Sequence, residues 1–228
     1  MQRLYQGKTK DVYEKDSNHV LLQFKDDVTG SDGSFDPGAN TVGLTIPGSG
    51  QANVKFTKYF FEKLKEKQIP THFVSANVED ASMIVKKAKM LGKGIEVIVR
   101  FYADGSFVRR YGDYCKKHDP LGGLIECTIK DDERGDPPIL KDALITLGIL
   151  TKDEYEKMMI LTKDIATIVK NELAKRDVTL YDIKFEYGRK PETSELMLID
   201  EISPGNMRVY RDQELIEPME LHNLFFGH

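Results

Sequence analysis

No stretch of the 228-residue chain approaches eighteen consecutive apolar residues, so no membrane-spanning helix is predicted. The first residues, Met1-Gln-Arg-Leu-Tyr-Gln-Gly7, hold no apolar core of the kind a secretory leader needs, and the expectation is a soluble, untargeted protein. Cysteine occurs only at Cys115 and Cys127. With no CxxC pair and no histidines at ligand spacing there is no basis for zinc, and a reducing, cytoplasmic setting fits best. The five histidines are scattered and make no Ser-His-Asp or Cys-His order, which leaves nucleophilic hydrolysis without support. Excess charge is also small, -4 at neutral pH, so no global field would draw the chain to nucleic acid or to an anionic membrane. Any anion site has to be local. Internal repeats and low-complexity tracts are lacking as well.

What is present is a globular composition, 40% apolar and 31% charged, in a length that allows one large domain or two lobes sharing a cleft. The segment 4–14 and the apolar strand 19–24 are predicted to form a β-hairpin with a glycine near its start. Residues 29–50, rich in Gly, Ser, Pro and Asp, read as an ordered but irregular loop. Phe56, Phe60 and Leu64 recur at four-residue spacing within 51–67, an amphipathic helix that Pro70 stops. Strands are predicted at 71–74, 83–85 and 95–101. Residues 105–112 continue as a strand, in which Arg109 and Arg110 point to opposite faces and at most one joins a given site. Another strand covers 124–129, and the two prolines of 131–138 keep that charged segment from becoming helix. Thr151-Lys-Asp-Glu154 is a capping box that opens a helix running to about Lys175, with Met158, Ile165, Ile168, Val169 and Leu173 as its buried stripe. Residues 210–228 carry no readable pattern.

The densest chemistry lies in Leu180-Tyr-Asp-Ile-Lys-Phe-Glu-Tyr-Gly188, where Asp182, Lys184 and Glu186 fall at alternate positions. Period two is the strand signature, so Ile183, Phe185 and Tyr187 face the core while the three charges share the other face. The turn at 189–194 returns the chain antiparallel through Leu196-Met-Leu-Ile199 and brings Asp200 near Glu186. Clustered carboxylates beside a lysine point to a divalent metal and phosphate, and cross-strand pairing on a wet sheet face accounts for the same spacing. The apolar run of the second strand places the hairpin centrally, where unpaired charge is costly. Gly7-Lys-Thr-Lys10 offers Lys8 and Lys10 as point charges for phosphates but lacks the spacing of a P-loop. Arg100, Ser106, Arg109 and Arg110 surround the turn Tyr102-Ala-Asp-Gly-Ser106, a set of guanidinium forks and a hydroxyl suited to a second anion. His72 reads as structural. Lysines for one polyphosphate, arginines for another anion and acids for magnesium between them imply ATP-dependent transfer to a phosphorylated or acidic substrate.

Taken in order, Gly7-Lys-Thr-Lys10, Lys25-Asp-Asp27 with Asp32-Gly33, Glu96-Val-Ile-Val-Arg100, Gly105-Ser-Phe-Val-Arg-Arg-Tyr-Gly112, Lys130-Asp-Asp-Glu133 with Asp136-Pro137, Asp182-Ile-Lys-Phe-Glu-Tyr-Gly188 and Asp200-Glu-Ile-Ser-Pro204 resemble the SAICAR synthetase family. The resemblance runs from about residue 4 to 210. It implies an α+β fold of two lobes with antiparallel sheets and an interlobe ATP cleft, here a nucleotide-binding lobe over 1–90 and a substrate and metal lobe over 91–228. The implied reaction uses ATP and Mg2+ to join an anionic ribonucleotide, carboxyaminoimidazole ribonucleotide, to an amino acid, L-aspartate, in purine biosynthesis. Homo-oligomers are usual in the family.

Carried over residue by residue, the resemblance puts Lys8, Lys10, Lys86 and Glu186 at the nucleotide and Glu186 and Asp200 on magnesium. It sets Lys184 and Asp182 at the reacting carboxylate, and Arg100, Ser106 and Arg208 at the ribonucleotide's phosphate and carboxylate. Gly205 stands where the family usually has an acid, Phe101 where asparagine is common, and residues 212–228 do not match the family's C-terminal segment. Those departures keep two other readings open: a related ligase or kinase for a different acid and amine, and a non-catalytic nucleotide-binding module.

Overall fold

Residues 1–227 are described by the computed structural model, in which antiparallel sheets and helices alternate along the chain. Strands β1 (Arg3–Gln6), β2 (Lys10–Glu14) and β3 (His19–Phe24) form an antiparallel meander, in which β2 and β3 make the expected hairpin and the chain before Gly7 adds a strand of its own. The expected irregular loop is instead a small sheet of β4 (Asp27–Ser31), β5 (Ser34–Phe35) and β6 (Val42–Thr45), in the order β5-β4-β6. Its strands are too short to show alternation, and β4 meets β6 through glycines: a Cβ at Gly43 would collide with the backbone of Gly30.

Helix α1 (Ser49–Glu66) completely buries Phe56, Phe60 and Leu64, the stripe at four-residue spacing predicted for it, and Phe61 beside them. Strands β7 (Phe73–Asn77) and β8 (Ser82–Lys86) complete the first sheet, ordered β1-β2-β3-β8-β7, whose small core of Leu22, Phe24, Met83 and Val85 also receives Val54 of α1.

The second sheet has seven strands. Its members are β9 (Lys89–Met90), β10 (Ile95–Tyr102), β11 (Pro120–Ile129), β12 (Thr179–Arg189), β13 (Leu196–Ile199), β14 (Met207–Arg211) and β15 (Glu214–Leu215). The main path is β11-β10-β12-β14-β15, with β13 and β9 also pairing with β12. Between β10 and β11 the chain corrects the strand predicted over 105–112: Gly105–Tyr111 is a helix, α2. Asp104 caps it by accepting a hydrogen bond from the Gly105 N–H at 2.7 Å, and Gly105 enters with φ +51°, a conformation glycine tolerates. Seven residues are too few to display an apolar stripe.

Helix α3 (Lys141–Thr146) precedes α4 (Lys152–Ala174), which opens on the predicted capping box: Thr151 Oγ1 accepts from the Glu154 N–H and Glu154 Oε2 from the Thr151 N–H. Helix α4 buries Met158, Ile165, Val169 and Leu173 against the sheet, whereas Ile168 stays half-buried. Helix α5 (Pro218–Phe226) closes over α1, with the rings of Phe56 and Phe225 4.7 Å apart. The sheets join where the Leu198 N–H donates to the Pro70 carbonyl at 2.9 Å and the His72 N–H to the Leu198 carbonyl at 3.0 Å.

Candidate active site

Strand β12 is central, and its side chains divide as period two requires. Ile183, Phe185 and Tyr187 are at most 1% exposed on the core side, while Asp182, Lys184 and Glu186 share the opposite face. The neighbouring strand doubles this array. Cα register pairs Glu96 with Glu186, Ile98 with Lys184 and Arg100 with Asp182, so five charged side chains cover one patch of two strands. Lys184 Nζ lies 2.7 Å from Glu96 Oε1, and Thr128 donates its hydroxyl to the other oxygen of Glu96 at 3.0 Å. Burial works against the Lys184 cation, but the carboxylates of Glu96 and Glu186 outweigh it and hold the ammonium above its ordinary range.

At the Glu186 end the turn after β13 delivers Asp200 and Glu201 to Lys10 of β2. Lys10 Nζ lies 2.6 Å from Asp200 Oδ1 and 2.7 Å from Glu201 Oε1. The far oxygen of Glu201 accepts from the Ser203 hydroxyl at 2.6 Å. Lys130 reaches in from the segment after β11, its Nζ 2.6 Å from Glu186 Oε1. Burial penalises the charges of Lys10, Lys130, Glu186 and Asp200. Lys10 nevertheless rises above the normal lysine range under the pull of Asp200 and Glu201, and Asp200 falls well below the normal carboxylate range because Lys10 and Lys130 stand over it. Glu186 moves the other way: burial and the Asp200 charge push its carboxyl up. No hydrogen bond from the chain reaches Glu186 Oε2 or Asp200 Oδ2 among the described residues. Lys8, nearer the surface, sits 2.8 Å from Asp132 Oδ1. Lys86 is exposed at the end of β8 and makes no ion pair among the described residues, although its charge acts on His72.

The Asp182 end opens into a cavity of about 510 Å³. Arg100, 1% exposed, donates from Nε and Nη2 to Glu126 at 2.7 and 2.5 Å, from Nη1 to Asp182 at 3.1 Å and from Nη2 to the Ser106 hydroxyl at 2.9 Å. Ser106 therefore accepts from Arg100 and keeps its own proton for a ligand in the cavity. Arg208 donates to Asp182 at 2.8 Å and to Asp36, and the carboxylates of Asp182, Asp36 and Asp104 hold it charged despite its burial. Two glycines make room for it, since a Cβ on Gly38 or Gly105 would run into the Arg208 guanidinium. Because 105–111 is helical, both Arg109 and Arg110 line this cavity, which corrects the expectation that only one can: consecutive helical positions differ by about 100° rather than by the half-turn of a strand. Arg110 is committed to Glu126 at 2.6 Å, whereas Arg109 has no ion pair among the described residues.

Arg100, Ser106, Asp182, Lys184 and Arg208 of the predicted set meet at the cavity; Lys10, Glu186 and Asp200 meet in the adjoining cluster. Sequence reasoning gave no role to Asp36, Asp104 and Glu126, which hold the arginines, or to Glu96 and Lys130, which pair with Lys184 and Glu186, although Glu96 and Lys130 open two of the quoted motifs. Glu96 was within reach, since it alternates with Arg100 on one strand. At Gly205, a Cβ would stand 3.3 Å from Asn53 Nδ2 and from Ser203 Oγ, and Asn53 Oδ1 is a buried oxygen without a partner among the described residues.

Three comparisons bear on this geometry. The SAICAR synthetase family model matches residues 3–220. A phosphoribosylaminoimidazole-succinocarboxamide synthase of Clostridium tetani is 56% identical over 224 residues, which cover 98% of this chain and 99% of that protein. Among solved structures, the phosphoribosylaminoimidazole-succinocarboxamide synthase from Ehrlichia chaffeensis superposes with a TM-score of 0.83 at 29% identity, over 99% of this chain and 94% of its own. A SAICAR synthetase in complex with ADP superposes with a TM-score of 0.85 at 27% identity, over 100% and 98%.

Proposed function

The chain belongs to the SAICAR synthetase family, and from that membership we infer that it is an ATP-dependent carbon–nitrogen ligase that joins carboxyaminoimidazole ribonucleotide to L-aspartate. The observation that carries the reading is the single charged face of β12. Asp182 stands in the arginine cavity, Glu186 in the lysine and carboxylate cluster, and Lys184 between them. One strand thus sets a site for an anionic substrate beside a site for a polyphosphate.

A carboxylate is a poor acyl donor because its leaving group would be oxide. In the proposed reaction a carboxylate oxygen of the ribonucleotide attacks the γ-phosphorus of ATP, ADP departs, and the aspartate amine then attacks the acyl carbon. Inorganic phosphate leaves, and the attacking free amine gives up one of its two protons while the other stays on the amide nitrogen. Lys8, Lys10 and Lys86 would contact the nucleotide phosphates. Lys184, kept charged by Glu96 and Glu186, would face the negative charge that builds on the reacting carboxylate, with Asp182 beside it. Ser106 and Arg208 would hold the ribonucleotide's phosphate and carboxylate, and Arg100 would brace both by tying Ser106 to Asp182.

Glu186 and Asp200 fit a magnesium ion. They are hard oxygen donors, each with an oxygen that takes no hydrogen bond from the chain among the described residues, and a cation would offset the burial and the Asp200 repulsion that together raise the Glu186 carboxyl. Two carboxylates are what magnesium takes from a protein when nucleotide phosphates and water supply its remaining ligands, and the ion would supply neutralisation of phosphate charge.

The cytoplasm suits this chemistry, and Cys115 and Cys127 are unpaired thiols. The test is to incubate purified protein with ATP, magnesium, aspartate and carboxyaminoimidazole ribonucleotide. ADP and the succinocarboxamide product are expected in equal amounts; ADP released with another amine but not with aspartate would overturn the amine assignment.

A further inference from the structure

His72 is 4% exposed and belongs to the first sheet's side of the molecule, yet its ring serves the second. Its backbone is wedged between strands: the His72 N–H donates to Leu198 of β13 at 3.0 Å, and the His72 carbonyl accepts the Lys86 N–H at 2.8 Å. The Phe61 ring, 5.8 Å away and nearly edge-on, fixes the plane of the imidazole. In that setting Nε2 lies 3.0 Å from the backbone carbonyl oxygen of Asp200. A carbonyl only accepts, so Nε2 carries the proton and donates. Asp200 itself has φ +66°, a left-handed conformation that a non-glycine residue keeps only where its surroundings hold it.

We propose that His72 is a positioning residue that pins the left-handed turn at Asp200 and thereby aims that carboxylate at the magnesium–nucleotide complex. The proposal rests on the reading of Asp200 as a magnesium ligand. Its geometry is independent of that reading. The ring reaches the backbone and not the carboxylate, so the carboxylate stays available to Lys10 and to a cation. It also makes nucleotide binding depend on how segment 70–72 joins the two sheets.

Calorimetric titration with ADP, in the presence of magnesium and in its absence, separates the possibilities on wild type, His72→Phe, His72→Gln and Asp200→Asn. His72→Phe keeps the buried ring without the donor, and should weaken ADP binding with magnesium about tenfold, the size of one buried hydrogen bond. ADP affinity without magnesium should not change. His72→Gln, whose amide N–H reaches the same carbonyl, should recover most of the loss. Wild-type affinity for magnesium–ADP in His72→Phe, or equal losses with and without magnesium that His72→Gln does not recover, would overturn the proposal. If His72→Phe does not fold, His72→Met supplies a donor-free side chain. An unchanged magnesium effect in Asp200→Asn would remove the magnesium assignment itself, an outcome distinct from a failure at His72.

Discussion

Lys10 and Asp200 stand 190 positions apart and meet at 2.6 Å, the β2 lysine of the first sheet closing on the turn that leaves the second. With Glu201 as its other partner, this lysine is both a fastening between the sheets and a charge in the lysine and carboxylate cluster.

Lys10→Met should therefore weaken both. It strands two largely buried carboxylates, a loss of about 2–3 kcal/mol once their residual solvent contact is allowed for, measurable by urea unfolding. The sign with pH follows from the two shifts. Asp200 is depressed, so its share is present above its ordinary value of 3.8 and is lost on acidification below it. Lys10 is raised, so its share is present below 10.5 and is lost above. The stability gap between wild type and variant should be flat between those limits and close outside them.

Glu186→Gln should abolish magnesium dependence more than it weakens ATP. Because burial and Asp200 hold the Glu186 carboxyl above its ordinary 4.5, the folded protein resists its ionisation as pH rises past that value, and magnesium offsets the cost. Thermal stabilisation by magnesium should grow as pH rises above 4.5 in wild type and be reduced in the variant. The same gain in both proteins would contradict the assignment.

Gly38→Ala places a methyl group against the Arg208 guanidinium, which Asp36 and Asp182 otherwise hold in place. Gly38 has no positive φ, so the backbone is unstrained and the effect should fall on function. KM for the ribonucleotide should rise about tenfold, the equivalent of one weakened charged hydrogen bond, with KM for ATP unchanged. Parallel increases in both constants would sink this account of the glycine.

Thr151→Ala serves as the distant control. It removes the side-chain acceptor that caps α4 and should cost about 1 kcal/mol in unfolding experiments while leaving the kinetic constants alone. A changed KM would mean that α4 transmits to the site.

What the sequence shows legibly is what repeats locally. The alternation of β12, the four-residue stripe of α1 and the capping box at Thr151 each declare an element within a dozen residues, and all three are present. The helix at 105–111 went unread because its signal is one capping aspartate ahead of seven residues, and the sheet at 27–45 because its strands meet at glycines. At the site, the residues with periodic company were visible. The roles of Glu126, Asp36 and Lys130 were not, since each acts through a partner 16 or more positions away: Glu126 on Arg110, Lys130 on Glu186 and Asp36 on Arg208. Local pattern carries no record of such pairings.

The central claim is that the ribonucleotide's carboxylate is activated by phosphorylation before the amine attacks. It is tested by supplying that substrate with heavy oxygen in its carboxylate and analysing the inorganic phosphate by mass spectrometry. Each phosphate released should carry a single labelled oxygen; phosphate free of label, formed alongside the amide product, would rule out the acyl phosphate.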